Sequence, residues 1–530
     1  MIRKFLRLFH TLRYIKGVQW RHQLWYRVKN RFISIHWYTQ YLQRSFISLD
    51  LQVAGILQSR QREYLGHLSF EFIGLKQSFD HRIDWNFQGH GKLWNYNLQY
   101  FSYLLDEGIP VYERLRLLRD FSDQLMASTI PPEPYPVSLR VVNTLLFHSR
   151  YPITDPIILE ALQKQIDYLA NNLEYHLLAN HLLENAFSLV IASIYISDQS
   201  LYRRSYRLLI DQLKEQILID GGHYECSVMY QSILLSKLLL CIEIARKTVW
   251  VGADELSILE EKAAKMLGWI NAYSFPDGTW ALMNDASEKI APMTHSLNEA
   301  AELLNILPCK SLLKDSGFRK MKGANWELLI KTGGVQPTYQ PGHVHADVSS
   351  YCIWYKGKQV VVDPGISTYA ISERRNIERG TSAHNTISFN GLNQSDVWGS
   401  FRVGKRAEVK MIEETDSSVN ILVKHHFDSN CIHQRVFSKK DDYSFLIYDQ
   451  IQTPKEKVYI YKGCIQFAAG LTVICQKEML TLNDISVEMS GVYNTMLSNK
   501  EYSVSYNEFQ IGSAFAYVSN PESSFTYRFK

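Results

Sequence analysis

The stretch SSYCIWYKGKQVVVD, residues 349–363, predicts a β-hairpin and marks the region where the chain changes character. Two runs rich in β-branched and aromatic residues flank the turn residues KGK, which is the pattern of two short antiparallel strands. Runs of the same kind continue towards the C-terminus, among them NTISFNG, SVNILVKHHF, DYSFLIYDQI and SVSYNEFQIG. Such regularly spaced short strands predict an antiparallel β-sandwich for this part of the chain.

The chain before this region, from about residue 95 to about residue 310, has the pattern of helices. Segments such as ENAFSLVIASIYI and SILLSKLLLCIEIARK carry apolar residues at helical spacing and are too long for single strands. Proline-rich PPEPYPVSLR, from Pro131, interrupts the pattern, and a new helix is expected at VVNTLLF. Several helical hairpins in succession predict a toroid or a solenoid. The expected boundary between helices and strands lies between Lys310 and Gly323.

Composition narrows the class of protein. A chain of 530 residues is expected to form two or three domains, and 46% hydrophobic and 21% charged residues are normal for a folded protein. The 32 tyrosines and 11 tryptophans favour sugar stacking, although they also fill large cores. A net charge of +4 fits an anionic substrate in a locally positive cleft and gives no support to a nucleic-acid partner. Seven scattered cysteines without a CxxC pair suit reducing surroundings.

The N-terminal segment MIRKFLRLFHTLRYIKGVQWRHQLWYRVKNRF is basic and aromatic, and no acidic residue precedes Asp50. Its basic residues interrupt any apolar core, so we expect no secretory signal peptide, and we expect no run in the chain to reach the length of a membrane span. A cytoplasmic or membrane-associated location is therefore expected. A membrane surface is a possible partner for such a helix, but a helix docked on its own protein with a solvated charged face is the favoured interpretation.

The stretch PGHVHADVSSY, from Pro341, carries the first candidate site. If it enters a strand, His343 and His345 point to one face. Asp363 ends the next expected strand in VVVDPG, and His384 precedes another in TSAHNTISFN. Two imidazoles and a carboxylate on neighbouring strands can form a tetrahedral zinc site with an open or water-filled fourth position. Any one of these histidines alone is better explained as a hydrogen-bonded core residue.

The second candidate site lies in the helical half. NHLLENA places Asn180, His181, Glu184 and Asn185 at the head of an apolar helix, where a simple N-cap is the alternative. Farther on, DGGHYECSVMYQSILL makes a tight glycine turn and starts a helix whose first turns carry Tyr230. That tyrosine could face a cleft, or it could only pack.

A third segment, NGLNQSDVWGSFRVGKRAEV, mixes polar, aromatic and basic residues. It is equally compatible with a sugar-contacting loop and with an ordinary polar loop. The residues of interest in it are Asn393, Gln394, Trp398 and Arg402.

Taken in order, NHLLENA, DGGHYECSVMYQSILL, PDGTWALMNDAS and GHVHADVSSY…VVVDPGISTY…RGTSAHNTISFNGLNQSDVWGSFRVGKRA resemble the heparinase II/III-like polysaccharide lyases. The likeness runs from about Tyr96 to about Val409. It implies an incomplete α/α toroid, expected at 91–315, followed by an antiparallel β-sandwich at 320–530. Residues 1–90 are expected to form a basic, aromatic helical extension packed on the toroid.

The resemblance also implies a reaction, β-elimination on an acidic polysaccharide that contains uronic acid, and it implies roles for individual residues. Asn180 and His181 resemble the pair that binds and neutralises the uronate carboxylate, Tyr230 the catalytic tyrosine and His343 the catalytic histidine. A divalent metal, usually zinc in this family and mainly structural, is implied at His345, Asp363 and His384. The further residues expected to contact substrate are Asn185, Trp398 and Arg402.

The chain departs from the family pattern beside the tyrosine. Cys226, Val228 and Gln231 stand where the family more often has arginine, proline and histidine. A non-catalytic or biosynthetic polysaccharide-binding protein that keeps the lyase fold is therefore the main alternative, and a metal-dependent hydrolase ranks last. The lack of a recognisable signal peptide suggests a protein tied to making a surface or extracellular polysaccharide.

Overall fold

A computed structural model describes residues 2–32, 44–58 and 62–530, and its first half is built mainly from helices. The parts of the predicted N-terminal extension at 33–43 and 59–61 lie outside the described residues. The helices are α1 Ile2–Leu12, α2 Gly17–Phe32, α3 Val53–Leu57, α4 Lys92–Tyr100, α5 Val111–Met126, α6 Pro134–Arg150, α7 Pro156–Asn171, α8 Ala179–Tyr195, α9 Gln199–Gln216, α10 Val228–Arg246, α11 Ala253–Tyr273, α12 Thr294–Leu303 and α13 Glu373–Glu378.

Helices α4 to α11 form two layers. Helix α6 packs against α4 and α8, and α8 packs against α10, while α7, α9 and α11 each follow and contact their predecessors α6, α8 and α10. Helix α8 is buried on almost every side, as expected for an apolar helix between other helices. The arrangement is the incomplete α/α toroid that the resemblance implied. It brings the first turns of α6, α8 and α10 towards one groove.

Helix α10 is, among the described residues, the one helix long and apolar enough to cross a membrane by length and composition. Most of it is buried inside the protein, as in the core helix of a soluble domain, and such a helix passes the same test. By length and composition alone, α10 contradicts the expectation that no run reaches the length of a membrane span. Its burial inside the protein explains why its sequence is so apolar.

Most of the strands lie in the second half of the chain, and three short ones lie before α4. The strands are β1 Tyr64–Gly66, β2 Ser69–Phe72, β3 Leu75–Ser78, β4 Phe318–Lys322, β5 Trp326–Lys331, β6 Tyr351–Tyr355, β7 Lys358–Val361, β8 Ile387–Phe389, β9 Val397–Trp398, β10 Arg402–Val403, β11 Glu408–Glu414, β12 Ser418–Lys424, β13 Ile432–Asp441, β14 Ser444–Gln452, β15 Tyr461–Gln466, β16 Val473–Gln476, β17 Met479–Leu482, β18 Ile485–Ser505 and β19 Glu508–Phe529.

Two antiparallel sheets make the sandwich. The smaller has the order β4-β5-β6-β7, and the larger has the path β11-β12-β13-β14-β19-β18-β17-β16, with β15 pairing with both β19 and β8. Side chains from the smaller sheet, such as Leu328 and Ile353, pack in one core with Ile421, Phe437 and Phe525 of the larger sheet. Alternation of buried and exposed residues along β12 and β13 shows why these runs form strands with one face in that core.

The predicted hairpin is present as β6 and β7. Tyr355 pairs with Lys358 across a two-residue turn, in which Lys356 has φ 44° and Gly357 has φ 88°. Positive φ at both central positions is the geometry that matches the twist of a tight hairpin, which accounts for the glycine.

Three local expectations need correction. The first ninety residues are not purely helical, because β1–β3 form a small sheet whose Phe70 and Phe72 pack near Tyr103 and Trp94. Helix α6 begins at Pro134, ahead of VVNTLLF, because proline fits the first turn of a helix, where no amide hydrogen bond is lost. The third correction concerns His343 and His345, which lie in an irregular loop before β6.

Candidate active site

A tyrosine from the helical half faces a histidine from the strand-rich half. The Ser227 hydroxyl accepts a hydrogen bond from the backbone N–H of Tyr230 at 3.4 Å, which places Tyr230 in the first turn of α10. Its ring centroid lies 4.1 Å from that of His343. The Tyr230 hydroxyl is 3.1 Å from that of Tyr369, and burial raises the pKa of Tyr230 well above its ordinary value. Tyr230 therefore keeps its phenolic proton in the free protein.

Asp285, a buried residue of the helical half, connects this pair to the strand-rich half. Its Oδ2 lies 2.8 Å from His343 Nδ1, and its Oδ1 lies 2.9 Å from His345 Nε2. Arg375 of α13 donates to both oxygens, at 2.5 and 2.6 Å. Burial alone would raise the pKa of Asp285, but Arg375 and the two imidazoles hold that pKa well below its usual range.

An ionised carboxylate can only accept hydrogen bonds, so Asp285 determines which ring nitrogens carry protons. The contact with Asp285 therefore places a proton on Nδ1 of His343, and in the uncharged form of the ring Nε2 is then the nitrogen without a proton. This is the arrangement in which an aspartate orients a histidine as a proton acceptor. Arg375 balances the charge of Asp285 and so keeps it ionised inside the protein.

Glu225 lies between His343 and the head of α8. Its Oε1 is 3.8 Å from His343 Nε2, and its Oε2 accepts a hydrogen bond from Asn180 Nδ2 at 2.9 Å. Burial raises the pKa of Glu225, while His343 and Asn180 oppose that rise. The carboxyl group thus links the predicted carboxylate-binding asparagine with the predicted catalytic histidine, although they are 163 positions apart in the sequence.

His181, next to Asn180 in the first turn of α8, is suited to carry a positive charge. Its Nδ1 lies 3.1 Å from Glu174 Oε1, and its ring lies 4.4 Å from that of Tyr135. Burial alone would lower the pKa of His181, but Glu174 and, more weakly, Glu225 and Glu184 raise it. Its side chain remains 29% exposed, so an anionic ligand can reach it.

The prediction that Asn185 contacts substrate is wrong in this structure. Asn185 is fully buried, and its amide donates to Glu174 Oε2 at 3.1 Å and to Ser138 Oγ at 3.0 Å. Its carbonyl oxygen accepts the backbone N–H of Glu174. Asn185 lies one helical turn after His181 on the same side of α8 but deeper in the protein, and there it holds Glu174 in place against His181.

The three residues predicted to bind a metal come together. Candidate ligand atoms of His345, Asp363 and His384 all lie within 4.8 Å of one another, and all three residues are buried. His345 Nδ1 and His384 Nε2 have no hydrogen-bond partner among the described residues, and neither oxygen of nearby Asp347 has one. Buried polar atoms without partners are costly, so this donor set fits a bound cation. Two imidazoles and a carboxylate suit zinc.

His343 and His345 do not point to one face, as expected from a strand, but to two different parts of the site. Because they lie in a loop and not on one face of a strand, His343 turns to Tyr230 and His345 turns to the metal-binding cluster. Asp285 contacts both rings and therefore couples the orientation of the catalytic candidate to that of the metal ligand.

The polar loop after β8 contacts helix α1 on one side and the groove on the other. Trp398 donates a hydrogen bond to the hydroxyl of Thr11 in α1 at 3.2 Å, and Arg402 stacks on Trp398 with 4.9 Å to the ring centroid. Phe401 instead lies 6.1 Å from His343 and 5.1 Å from Tyr369, measured between ring centroids. Phe401 therefore lines the groove, while sugar contact by Trp398 and Arg402 stays a prediction.

Asn393 and Gln394 have structural contacts. Asn393 Oδ1 accepts the backbone N–H of Thr381, and Gln394 is buried with its amide donating to Val348 O. Both fasten the loop to segments that carry site residues, and this favours the interpretation of that part as an ordinary polar loop.

Sequence reasoning missed four residues that complete the site: Asp285, Arg375, Glu225 and Tyr369. Asp285 and Glu225 lie inside motifs that carry the resemblance, so the signal was present without an assigned role. Tyr369 also lies inside such a motif, VVVDPGISTY, whereas Arg375 had no local signal, because its importance arises only from a contact with a distant part of the chain.

Comparison with known proteins agrees with this architecture. The family model described as Heparinase II/III N-terminus matches residues 155–312, and the model described as Heparinase II/III-like, C-terminal, matches residues 305–490. A heparin-sulfate lyase from Bacteroides stercoris is 23% identical over 306 residues, covering 52% of this chain. That match spans 44% of the relative, so less than half of its length is represented.

Solved structures share the fold over most of the chain. A heparan sulfate lyase mutant from Pedobacter heparinus superposes with a TM-score of 0.59 at 16% identity, covering 96% of this chain and 88% of that one. A structure described as heparinase III gives a TM-score of 0.67 at 14% identity, covering 93% and 88%. With both family models matched in order, the chain belongs to the heparinase II/III-like family.

Proposed function

We propose that the protein is a polysaccharide lyase that cleaves a uronate-containing acidic polysaccharide by β-elimination. The single observation that carries the proposal is the apposition of the Tyr230 and His343 rings, 4.1 Å apart, from the two halves of the molecule. The names of the relatives, heparin-sulfate lyase and heparan sulfate lyase, support this class of substrate.

The reaction needs charge neutralisation before proton removal. The C5 proton of a uronic acid is weakly acidic, because its removal places negative charge on the neighbouring carboxylate. In this proposal His181, whose pKa is raised beside Glu174, and the Asn180 amide, which donates to Glu225, bind that carboxylate. Donors that stabilise developing oxyanion charge are each worth roughly 3 kcal/mol.

Proton transfer then divides between the two facing side chains. His343 Nε2 accepts the C5 proton, the bond between C4 and the glycosidic oxygen breaks, and a double bond forms between C4 and C5. Tyr230 donates its phenolic proton to the departing oxygen. Two observations support this division: Asp285 is placed to accept a proton from Nδ1 of His343, and burial raises the pKa of Tyr230, which keeps that side chain in its neutral phenol form.

The cluster of His345, Asp363 and His384 is proposed to hold a divalent cation, by its donor set zinc, with a structural role. Bound there, the cation would supply fixed positive charge and hold the loop that carries His343 and His345. Because the three residues are buried, a substrate in the groove has no direct access to them, and this disfavours the metal-dependent hydrolase.

The departures beside the tyrosine lie in structural contacts. Gln231 donates to the carbonyl oxygens of Gly221 and Met266 and accepts from the N–H of His223, while the Cys226 thiol lies near Gln336. These departures therefore leave Tyr230 and His343 apposed. The alternative, a polysaccharide-binding protein without catalytic activity, is distinguished by the test below. The substrate is proposed to be a bacterial surface or extracellular polysaccharide.

The test is the ultraviolet absorbance of the unsaturated uronate released from a panel of acidic polysaccharides, with mass analysis of the products. Tyr230→Phe and His343→Ala should each abolish the signal. Tyr224→Phe is the matched control, since Tyr224 lies six residues earlier, before α10, and contacts Tyr339, and the activity of this variant should be unchanged. Polymer binding without product would favour the non-catalytic alternative, and products without a double bond would favour hydrolysis.

A further inference from the structure

The N-terminal helix α1 docks on the protein with its polar side. Arg7 forms a salt bridge with Asp396, with 2.9 Å between Nε and Oδ2, and Thr11 accepts the indole N–H of Trp398 at 3.2 Å. Arg7 and Thr11 are four residues apart and therefore lie on the same side of the helix. The side that meets the protein is thus the polar one.

The apolar side of α1 consequently points away from the protein. Phe5 is 69% exposed and Phe9 is 54% exposed, and Leu6 beside them is also exposed. Amphipathic helices of globular proteins ordinarily bury their apolar stripe against the core. The expected docking with a solvated charged face is therefore wrong for α1, because its polar residues make the contact with the protein.

Helix α2 repeats the arrangement. Its docked side contacts the end of α7 and the segment between α7 and α8, through hydrogen bonds from Gln19, Tyr26 and Lys29 to the carbonyl oxygens of Leu177, Leu173 and Asn171. The other side exposes apolar residues at helical spacing, Trp20, Leu24 and Val28, together with Trp25. Leu24 is 67% exposed and Trp25 is 55% exposed.

The turn between α1 and α2 is anchored to both halves of the molecule. Arg406 of the strand-rich half stacks on Tyr14 at 3.6 Å, and Lys16 lies 3.8 Å from the ring centroid of Tyr339 and pairs with Glu215 of α9. The outward apolar side is therefore held in a defined position and is not the by-product of a loose terminus.

Charge indicates what this surface meets. The exposed basic residues Lys4, Arg13, Arg21 and Arg27 flank the apolar ones, and no acidic residue precedes Asp50. Basic helices with outward tryptophan, phenylalanine and leucine lie in the interface of anionic membranes. A second copy of the same surface would bring like charges together, which disfavours self-association.

We infer that α1 and α2 form a docking surface that holds the protein on an anionic membrane, with Phe5, Phe9, Leu24 and Trp25 entering the lipid headgroup region. This inference is independent of the proposed lyase activity, since none of these residues contacts Tyr230 or His343. It places the groove at a membrane surface, where a polysaccharide under synthesis or export is available.

The test is flotation of the full chain with vesicles. We expect the protein to float at least tenfold more with phosphatidylcholine vesicles containing phosphatidylglycerol than with phosphatidylcholine alone, and high salt should reduce this binding. The triple variant Phe5→Ser, Phe9→Ser, Trp25→Ser should lose at least tenfold. The matched control is Ile219→Ser, Val249→Ser, Val458→Ser, which changes exposed apolar residues elsewhere and should bind as the original chain does.

Two further measurements keep the result unambiguous. Thermal unfolding shows that both triple variants fold, and brominated lipid should quench tryptophan emission of the original chain more than that of Trp25→Phe. Absence of flotation with anionic vesicles, or equal flotation of the two triple variants, would overturn the inference. So would concentration-dependent dimerisation that the Phe5, Phe9 and Trp25 substitutions abolish, because the partner would then be a second copy.

Discussion

Two buried clusters of aspartate, arginine and histidine occur in this molecule, one at the groove and one inside the sandwich. At the groove, Asp285 accepts from Arg375 and from His343. In the sandwich, Asp449 accepts from Arg435 at 2.7 and 3.0 Å and lies 2.6 Å from His433 Nε2. The chemical groups are the same, and each aspartate has a pKa held below its usual range beside its arginine, against the effect of burial.

The surroundings differ. His433 is enclosed, and Arg435 also donates to the carbonyl oxygens of Ser349 and Asn385, so this cluster ties together the two segments that carry the metal-binding histidines. His343 instead turns its second ring nitrogen towards Glu225 and its ring face towards Tyr230. The same three residue types can therefore serve catalysis or stability. The groups that surround the histidine, and not the composition of the cluster, distinguish the two cases.

The largest expected effect separates the two clusters by activity. Asp285→Asn should lower kcat by about 10³-fold or more, because an amide no longer enforces the proton on Nδ1 of His343. Steady-state kinetics on the best polymer measures this. Asp449→Asn should leave kcat per folded molecule unchanged, and a comparable loss in both variants would erase the functional distinction.

Metal removal should affect the cluster at the groove directly, since His345 contacts Asp285 and His433 does not. We expect a strong chelator to lower Tm by roughly 5 °C or more, because a ligand that binds only the folded state stabilises it. Elemental analysis should find one divalent ion per chain, and His384→Ala should lose it. A chain that retains full metal content after His384→Ala would contradict the assignment.

The cluster of Asp449, Arg435 and His433 in the sandwich should affect the free energy of unfolding. The pKa of Asp449, about 2, lies below its ordinary value of 3.8, so its stabilisation is complete above pH 3.8 and is lost as pH falls towards 2. A shift of this size corresponds to about 2 kcal/mol. Denaturant unfolding of Asp449→Asn should show at least this loss at pH 7 and a smaller one near pH 3. Asp442→Asn on the exposed surface should change little.

The smallest expected effect is on polymer affinity and concerns the pair of His181 and Glu174. In contrast to the two buried clusters, this pair includes a histidine that is partly exposed to solvent. The pKa of His181 is raised, so its imidazolium is present below that pKa and is lost as pH rises through it. Polymer affinity of inactive Tyr230→Phe should therefore weaken on the alkaline side. His181→Gln should bind roughly tenfold more weakly at pH 6, without that dependence. An unchanged pH profile in His181→Gln would contradict the assignment.

Much of the fold was predictable, because the helical and strand runs of this chain are long and regular. The two-layer helical half and the antiparallel sandwich follow from apolar spacing, and the hairpin at Lys356 and Gly357 follows from its turn residues. The small sheet β1–β3 was missed, since strands of three or four residues carry too little periodicity to be distinguished from loops.

The candidate site was predictable in part. Tyr230, His343 and the three residues of the metal-binding cluster meet as expected, while Asn185 turned out to be buried and Arg375 was missed. Direction within a helix depends on its neighbours, and a partner in a distant segment leaves no local pattern. The same reason explains α1, whose amphipathic sequence does not say which side meets the protein.

Local chemistry along the chain specifies where helices and strands form and which residue types are present for proton transfer and metal binding. Tertiary structure decides that Asp285 grips His343, His345 and Arg375 from the opposite half, that Glu225 lies between Asn180 and His343, and that α1 turns its apolar side outwards. Periodicity is a property of neighbouring residues, whereas a hydrogen bond between segments far apart in sequence exists only after the chain has packed.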